Sequence, residues 1–372
     1  MTGKLNFENL SPEQKIGQLF FIGLPGTEID EQTSLLLEEI SPGGVCLFTR
    51  NIRTAGQTRK LLDDLREILP VEPFLSLDQE GGLVDRLRRI ITPMPSAKAV
   101  SQNGNTAFAE KLARITAEVV RILGFNMNFA PVIDVIDEER GKFTNGLYSR
   151  NFGKTKEEVV EFSSLYLKIL QDGGCMGCIK HFPGYGASEV DSHEELPKVN
   201  LSRESLFEID LFPYSKLFEN EDVYSVMIGH AAYPPLDLQE LDSAGNLLPS
   251  SLSRNIITKL LREDLGFQNL VLTDDLEMGA ILRNYGIADA SVMAFNAGND
   301  LILICANPQA MTDAFRAVKK AVETGEISEE RLNESLERIA KLKKLLKPAL
   351  PFDEARLQAL SEEIKQLNED VS

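Results

Sequence analysis

NLVLTDD, residues 269–275, is an apolar run of strand length that ends on two carboxylates, and an amphipathic helical pattern follows it at 285–296. A strand covered on both faces reads as a continuous apolar run, and strands alternating with helices are the units of a parallel sheet. Working outward, the same pairing recurs at 18–24 (QLFFIGL), 43–49 (GGVCLFT), 73–79 (PFLSLDQ), 126–135 (NMNFAPVIDV), 175–182 (CMGCIKHF), 224–231 (YSVMIGHA) and 300–305 (DLILIC). Helical patterns separate these runs at 31–39, 54–68, 105–123, 155–172, 203–219 and 252–264, and one at 309–323 follows the last. Eight strand–helix units in about 310 residues predict an α/β fold of the (β/α)8 TIM-barrel type rather than an open doubly wound sheet.

No linker or repeat divides the chain, so one barrel domain is expected over 1–347, with a helical extension at 348–372. Leu332, Leu336, Ile339, Leu342 and Leu346 have helical spacing, as do Leu357, Leu360, Ile364 and Leu367 beyond Pro348 and Pro351; both stripes are expected to pack on the barrel's outside. Ser11-Pro12-Glu13-Gln14 reads as an N-cap, a proline at the first helical position and a capping-box glutamine, predicting a short helix over the barrel's floor.

Of 372 residues, 43% are hydrophobic and 26% charged, which is the make-up of a globular protein with a sizeable core. With 39 Lys and Arg against 57 Asp and Glu, the formal charge of −18 repels phosphate backbones and anionic lipid, so no nucleic-acid partner is expected. No apolar run approaches the roughly 18–20 residues of a membrane span. The opening MTGKLNFENLSPEQ lacks a signal-peptide core, so the expectation is cytoplasmic, or secreted or lipid-anchored if a leader has been removed. Cys46, Cys175, Cys178 and Cys305 lie in apolar runs and read as core residues; in a strand Cys175 and Cys178 face opposite sides and cannot bridge. Nothing in the pattern specifies an oligomeric state.

Barrel enzymes carry their reactive groups at the carboxyl ends of strands. Asp78, Lys180 with His181, His230, and Asp274 with Asp275 all follow apolar runs at such ends. Burying that many ionisable groups separately would cost several kcal/mol each, so a shared polar pocket is the simpler account. All three histidines of the chain, His181, His193 and His230, fall at or just after these ends. A zinc site on His181, Asp191 and His193 is the rival, but no metal-ligand framework accompanies them, and no metal or cofactor is expected. In an extended Asp191-Ser192-His193, residues two apart project to one side, so the Asp191 carboxylate can orient and tune His193 as an acid/base. Adjacent strand residues face opposite sides, so only one of Asp274 and Asp275 is expected to reach the barrel axis. There is no GxSxG element for esterase chemistry. A Schiff-base aldolase on Lys180 is allowed by a strand-end lysine but leaves the Asp191–His193 pair unused.

These residues resemble a known family. Lys180-His181-Phe182-Pro183-Gly184 followed by Asp191-Ser192-His193 is similar to the KHFPGHG…DSH signature of the bacterial β-N-acetylhexosaminidases of glycoside hydrolase family 3. Asp78-Gln79-Glu80-Gly81-Gly82 with Arg86 resembles its DQEGGRVxR, Gly43 to Ile52 its GGVxLFxRNI, Ala130 to Asp134 its APVxD, Arg150 to Gly153 its RxFG, and Leu265 to Met278 its LGFxGxxxTDDLxM. The resemblance implies that Asp274 is a catalytic nucleophile, His193 the acid/base, Asp191 its orienting partner, and Asp78, Arg86, Arg150, Lys180 and His181 contacts to a carbohydrate substrate, with His230 in support. Tyr185 and Leu83 depart from the pattern, which has His and Arg there.

The expected activity is a retaining exo-β-N-acetylglucosaminidase acting on peptidoglycan-derived glycosides through a glycosyl-aspartate. Because the base form of histidine is neutral and does not repel an anionic acceptor, a phosphorylase is the alternative. A sugar-binding homologue with impaired catalysis is a further one, motivated by Tyr185 and Leu83.

Overall fold

The computed structural model describes residues 7–143, 146–192 and 194–372. Eight parallel strands close a barrel: β1 (Phe20–Gly23), β2 (Gly44–Cys46), β3 (Phe74–Leu77), β4 (Met127–Asn128), β5 (Met176–Phe182), β6 (Ser225–Ile228), β7 (Leu270–Asp275) and β8 (Leu301–Ile304). Each pairs with its neighbours in chain order, and β1 pairs with β8 to close the ring. The expected (β/α)8 barrel is therefore what the chain forms, and every strand falls inside its predicted run. Phe20, Leu75, Ile179, Val226, Leu272 and Ile302 are fully or almost fully buried, as strands walled on both sides require.

The helices begin where side chains can satisfy their first amides. Asp30 caps Glu31–Ile40, Thr54 caps Ala55–Ile68, and Thr155 with Glu158 forms a capping box ahead of Lys156–Asp172. The box predicted at Ser11 and Gln14 is present, and its helix Pro12–Gly17 leads directly into the amino end of β1. There the Gly43 amide bonds the Gly17 carbonyl. Helix Thr106–Leu123 stops at Gly124, whose φ of +106° is open to glycine and strained for other residues.

Besides the helix predicted at 252–264, which is wound with a wider turn over Asn255–Asp264, two elements differ from expectation. The stretch predicted as one helix at 203–219 is interrupted at Leu206–Asp210 by a wider turn, closed by the Leu211 amide on the Leu206 carbonyl, before Phe212–Asn220 resumes. The widening turns Asp210 inward, where its carboxylate takes Arg140 in a fork at 2.8 and 3.1 Å. A second difference is a hairpin of Gln79–Gly81 and Val84–Asp85 that follows β3, which the sequence reading left within a loop. Its turn uses Gly81 and Gly82 at φ +92° and +58°.

The C-terminal helix Glu354–Asp370 buries Leu357, Leu360, Ile364 and Leu367 against Thr106–Leu123. Arg356 clasps Glu118 at 2.6 and 2.7 Å, and Arg114 reaches Glu363 at 2.5 Å. At the amino end of β8, buried Asp300 accepts bonds from Arg262, Ser335, Arg338 and the Val271 amide, tying helix Glu329–Lys343 to the barrel floor. Burial alone would raise the Asp300 pKa; Arg262, Arg331 and Arg338 overcome it and hold the carboxylate ionised. All four cysteines are buried and free. No helix among the described residues is long and apolar enough to cross a membrane.

Candidate active site

A cavity of about 380 Å³ opens at the carboxyl ends of the strands. Asp78, Arg86, Arg150, Lys180, His181 and Asp274 all line it, although they come from four stretches of chain up to 196 positions apart (274 − 78). Phe48, Phe129, Met227 and Leu303 supply the apolar part of the wall.

The polar wall is a charge network rather than a set of separate groups. Lys180 Nζ lies 2.7 Å from Asp78 Oδ1 and 2.7 Å from Glu80 Oε1. Arg150 grips both oxygens of Glu80 at 2.8 and 2.9 Å, and Arg86 stands 3.4 Å from Asp78. Burial would raise the pKa values of Asp78 and Glu80, but Lys180 and Arg86 acting on the first, and Arg150 and Lys180 on the second, push both well below the usual carboxylate range. The same contacts hold Lys180 and Arg150 charged against their own burial. Fully ionised forks of this kind can exchange hydrogen bonds with vicinal hydroxyls in a water-poor cleft.

His181 is fixed from behind. Its Nδ1 lies 2.8 Å from Asp134 Oδ2, whose other oxygen accepts the Tyr185 amide at 2.9 Å. A carboxylate only accepts, so Nδ1 carries the hydrogen and Nε2 faces Arg150 at 3.5 Å. Neither Glu80 nor Asp134 was assigned a role from the sequence, although both lie inside the motif runs quoted above. The signal available was a carboxylate in a glycine-rich or apolar stretch with no partner nearby in sequence, which requires a cation or imidazole from elsewhere.

Asp274 and Asp275 correct an expectation: both line the cavity, where alternation allows only one. The reason is register. Leu301 pairs with Leu272 but Leu303 with Asp275, so β7 carries one residue more than β8 over this step and its last side chains depart from strict alternation. A similar shift between Lys180 and Phe182 against β6 brings both Lys180 and His181 to the cavity. The two aspartates differ in charge state. Against burial, His230, His181 and Lys180 lower the Asp274 pKa, and the Asp275 amide donates to its Oδ1 at 2.8 Å. Burial pushes the Asp275 carboxyl up to about 7, with Glu277 and Asp274 adding to the effect and the Glu277 amide opposing it.

His230 meets the Asp275 carbonyl through Nε2 at 3.0 Å and Ser251 Oγ through Nδ1 at 2.7 Å. Since a carbonyl only accepts, Nε2 carries the hydrogen and the imidazole braces the peptide after Asp275.

His193, the predicted acid/base, lies outside the described residues. Its neighbours are placed: the Ser192 carbonyl accepts the Ala280 amide at 3.1 Å, one residue beyond Gly279 in the cavity wall. Asp191 is not part of that wall; its Oδ2 lies beside Gly146, where a Cβ would approach it to 3.2 Å. Among the described residues, no group of three or more His, Cys, Asp or Glu is arranged to hold a metal ion.

The glycosyl hydrolase family 3 N-terminal domain matches residues 11–342. A beta-hexosaminidase A of Pseudoalteromonas piscicida is 31% identical over 337 residues, 85% of this chain but 56% of that protein, so the chain spans little more than half of this relative. A beta-hexosaminidase of Pseudomonas aeruginosa (strain LESB58) is 30% identical over 80% of this chain and 86% of its own length. Among solved structures, a glycoside hydrolase family 3 beta-N-acetylglucosaminidase from Paenibacillus sp. strain FPU-7 superposes with a TM-score of 0.86 at 34% identity, covering 96% of this chain and 69% of that one.

Proposed function

The chain belongs to glycosyl hydrolase family 3, and on that footing we propose that it is a retaining β-N-acetylglucosaminidase with Asp274 as nucleophile and His193 as acid/base. The observation that carries this reading is a half-buried carboxylate, Asp274, kept ionised in a cavity that also holds a network of ion pairs suited to sugar hydroxyls. The names of the relatives support the sugar class.

Asp274 attacks the anomeric carbon while His193 protonates the departing oxygen. The glycosyl-aspartate is then released when His193 takes a proton from the incoming water. Asp191 orients His193, and the bond between Ala280 and Ser192 supports a position for this segment beside the helix that follows Asp274. Asp78, Arg86, Arg150, Lys180 and His181 hold the sugar, with Glu80 and Asp134 fixing the geometry of the last three. Asp275 carries a proton through part of the neutral range, which leaves Asp274 as the ionised member of the adjacent pair. The aglycone follows from the same reading as a peptidoglycan-derived saccharide.

Turnover of 4-nitrophenyl N-acetyl-β-glucosaminide in phosphate-free buffer, releasing free N-acetylglucosamine, is the expected result. Product appearing only with phosphate, as the sugar 1-phosphate, would replace hydrolysis by phosphorolysis. Binding of N-acetylglucosamine without turnover would replace both by a sugar-binding role.

A further inference from the structure

Tyr185 lines the cavity beside the nucleophile, yet the double displacement gives it nothing to do. Its backbone is tied by the bond to Asp134, its ring centre lies 5.0 Å from that of His181, and its edge packs on Gly229, where a Cβ would come within 3.1 Å. The residue is 3% exposed and held on three sides. The polar groups that act on the phenol are Arg150, Asp134, Asp274 and the Ser192 hydroxyl. That hydroxyl is itself buried, with no hydrogen-bond partner at ordinary distance and angle among the described residues. Burial and the two carboxylates raise the phenol pKa, against Arg150, so it remains a donor at any pH near neutral. A buried donor in a cavity gains most from an acceptor that arrives with the substrate.

We propose that the Tyr185 hydroxyl is a further catalytic group, donating a hydrogen bond to an oxygen of the bound sugar on the Asp274 side of the cavity. The proposal rests on the glycosidase reading. It adds a neutral donor to the charged forks of Lys180 and Arg150, so the sugar is held by both kinds of group while Asp274 approaches the anomeric carbon. Hydrogen bonds of this kind that strengthen as charge develops act on turnover as well as on binding.

The test is Tyr185→Phe, which removes one oxygen and keeps the ring packed on Gly229. Calorimetric titration with N-acetylglucosamine and kinetics on the 4-nitrophenyl glycoside are expected to show binding weakened about tenfold and kcat/KM lowered about ten- to hundredfold, at an unchanged melting temperature. Binding and kcat/KM within twofold of the parent overturn the proposal. So does a fall in kcat/KM with sugar binding unchanged, which assigns the hydroxyl to the Ser192 segment instead. If the parent chain binds the sugar but does not turn it over, the glycosidase reading fails, while the binding arm still decides whether Tyr185 touches the sugar.

Discussion

Glu80→Gln should damage both stability and activity, because one carboxylate serves two cations. The substitution keeps the shape and removes a charge that lies 2.7 Å from Lys180 and 2.8 and 2.9 Å from the two nitrogens of Arg150. Two carboxylates, Asp78 and Glu80, now face three cations, Lys180, Arg150 and Arg86; the variant leaves one carboxylate against three. Breaking a buried pair by removing one partner costs about 3–5 kcal/mol, and the retained amide oxygen places this case at about 3. For 372 residues, an unfolding entropy of about 2.1 cal/mol/K per residue converts that to a fall of about 4 °C in Tm. Arg150 also loses its fork, so kcat/KM on the aryl glycoside should fall about ten- to hundredfold. Glu39→Gln is the control: it breaks a pair with Arg316, whose side chain is 63% exposed, and should shift Tm by less than about 1 °C. Calorimetric melts and initial rates on the three proteins decide the matter. Equal melting temperatures for Glu80→Gln and the parent, with KM unchanged, would refute the claim that the cation network is held from Glu80.

Asp300→Asn should cost a similar amount, about 3 kcal/mol by denaturant titration, with kcat unchanged, because Asp300 ties three arginines at the floor, at the opposite end of β8 from the cavity. Asp275 gives a pH signature. Its carboxyl holds a proton up to about 7 in the folded chain, whereas the unfolded chain releases it near pH 4. The folded state therefore binds the extra proton between those values, and stability declines as pH rises through the window. Asp275→Asn should lack that slope, so urea titrations at pH 4 and pH 8 should show the variant gaining about 2–4 kcal/mol on the parent at the higher pH, and parallel stabilities would count against it. Gly44→Ala should lose about 1–3 kcal/mol in the same titration, since its Cβ would meet the Phe21 ring at 2.5 Å inside a packed barrel.

The architecture was legible because a doubly covered strand is a short apolar run and the barrel repeats it eight times with helices between. The location of the site was legible for a related reason: charged residues such as Asp78, Lys180 and Asp274 end apolar runs, and a barrel gathers those ends. What the sequence concealed is mostly register and pairing. Nothing local to Thr273-Asp274-Asp275 announces that β7 carries one residue more than β8, so alternation assigned one aspartate to the cavity where both reach it. Glu80 and Asp134 were read as parts of motifs because their partners, Arg150 and His181, are 70 and 47 positions away. The wide turn at Leu206–Asp210 was invisible because helical spacing continues on both sides of it; its role as the seat of Asp210 appears only once Arg140 is beside it.

The central claim is that Asp274 forms the covalent bond to the sugar. Reaction with a fluorinated N-acetylglucosaminide, followed by peptide mass spectrometry, should show one glycosyl adduct on the peptide carrying Asp274 and none in Asp274→Asn. An adduct on Asp275 or any other residue, or undiminished labelling of Asp274→Asn, would contradict it.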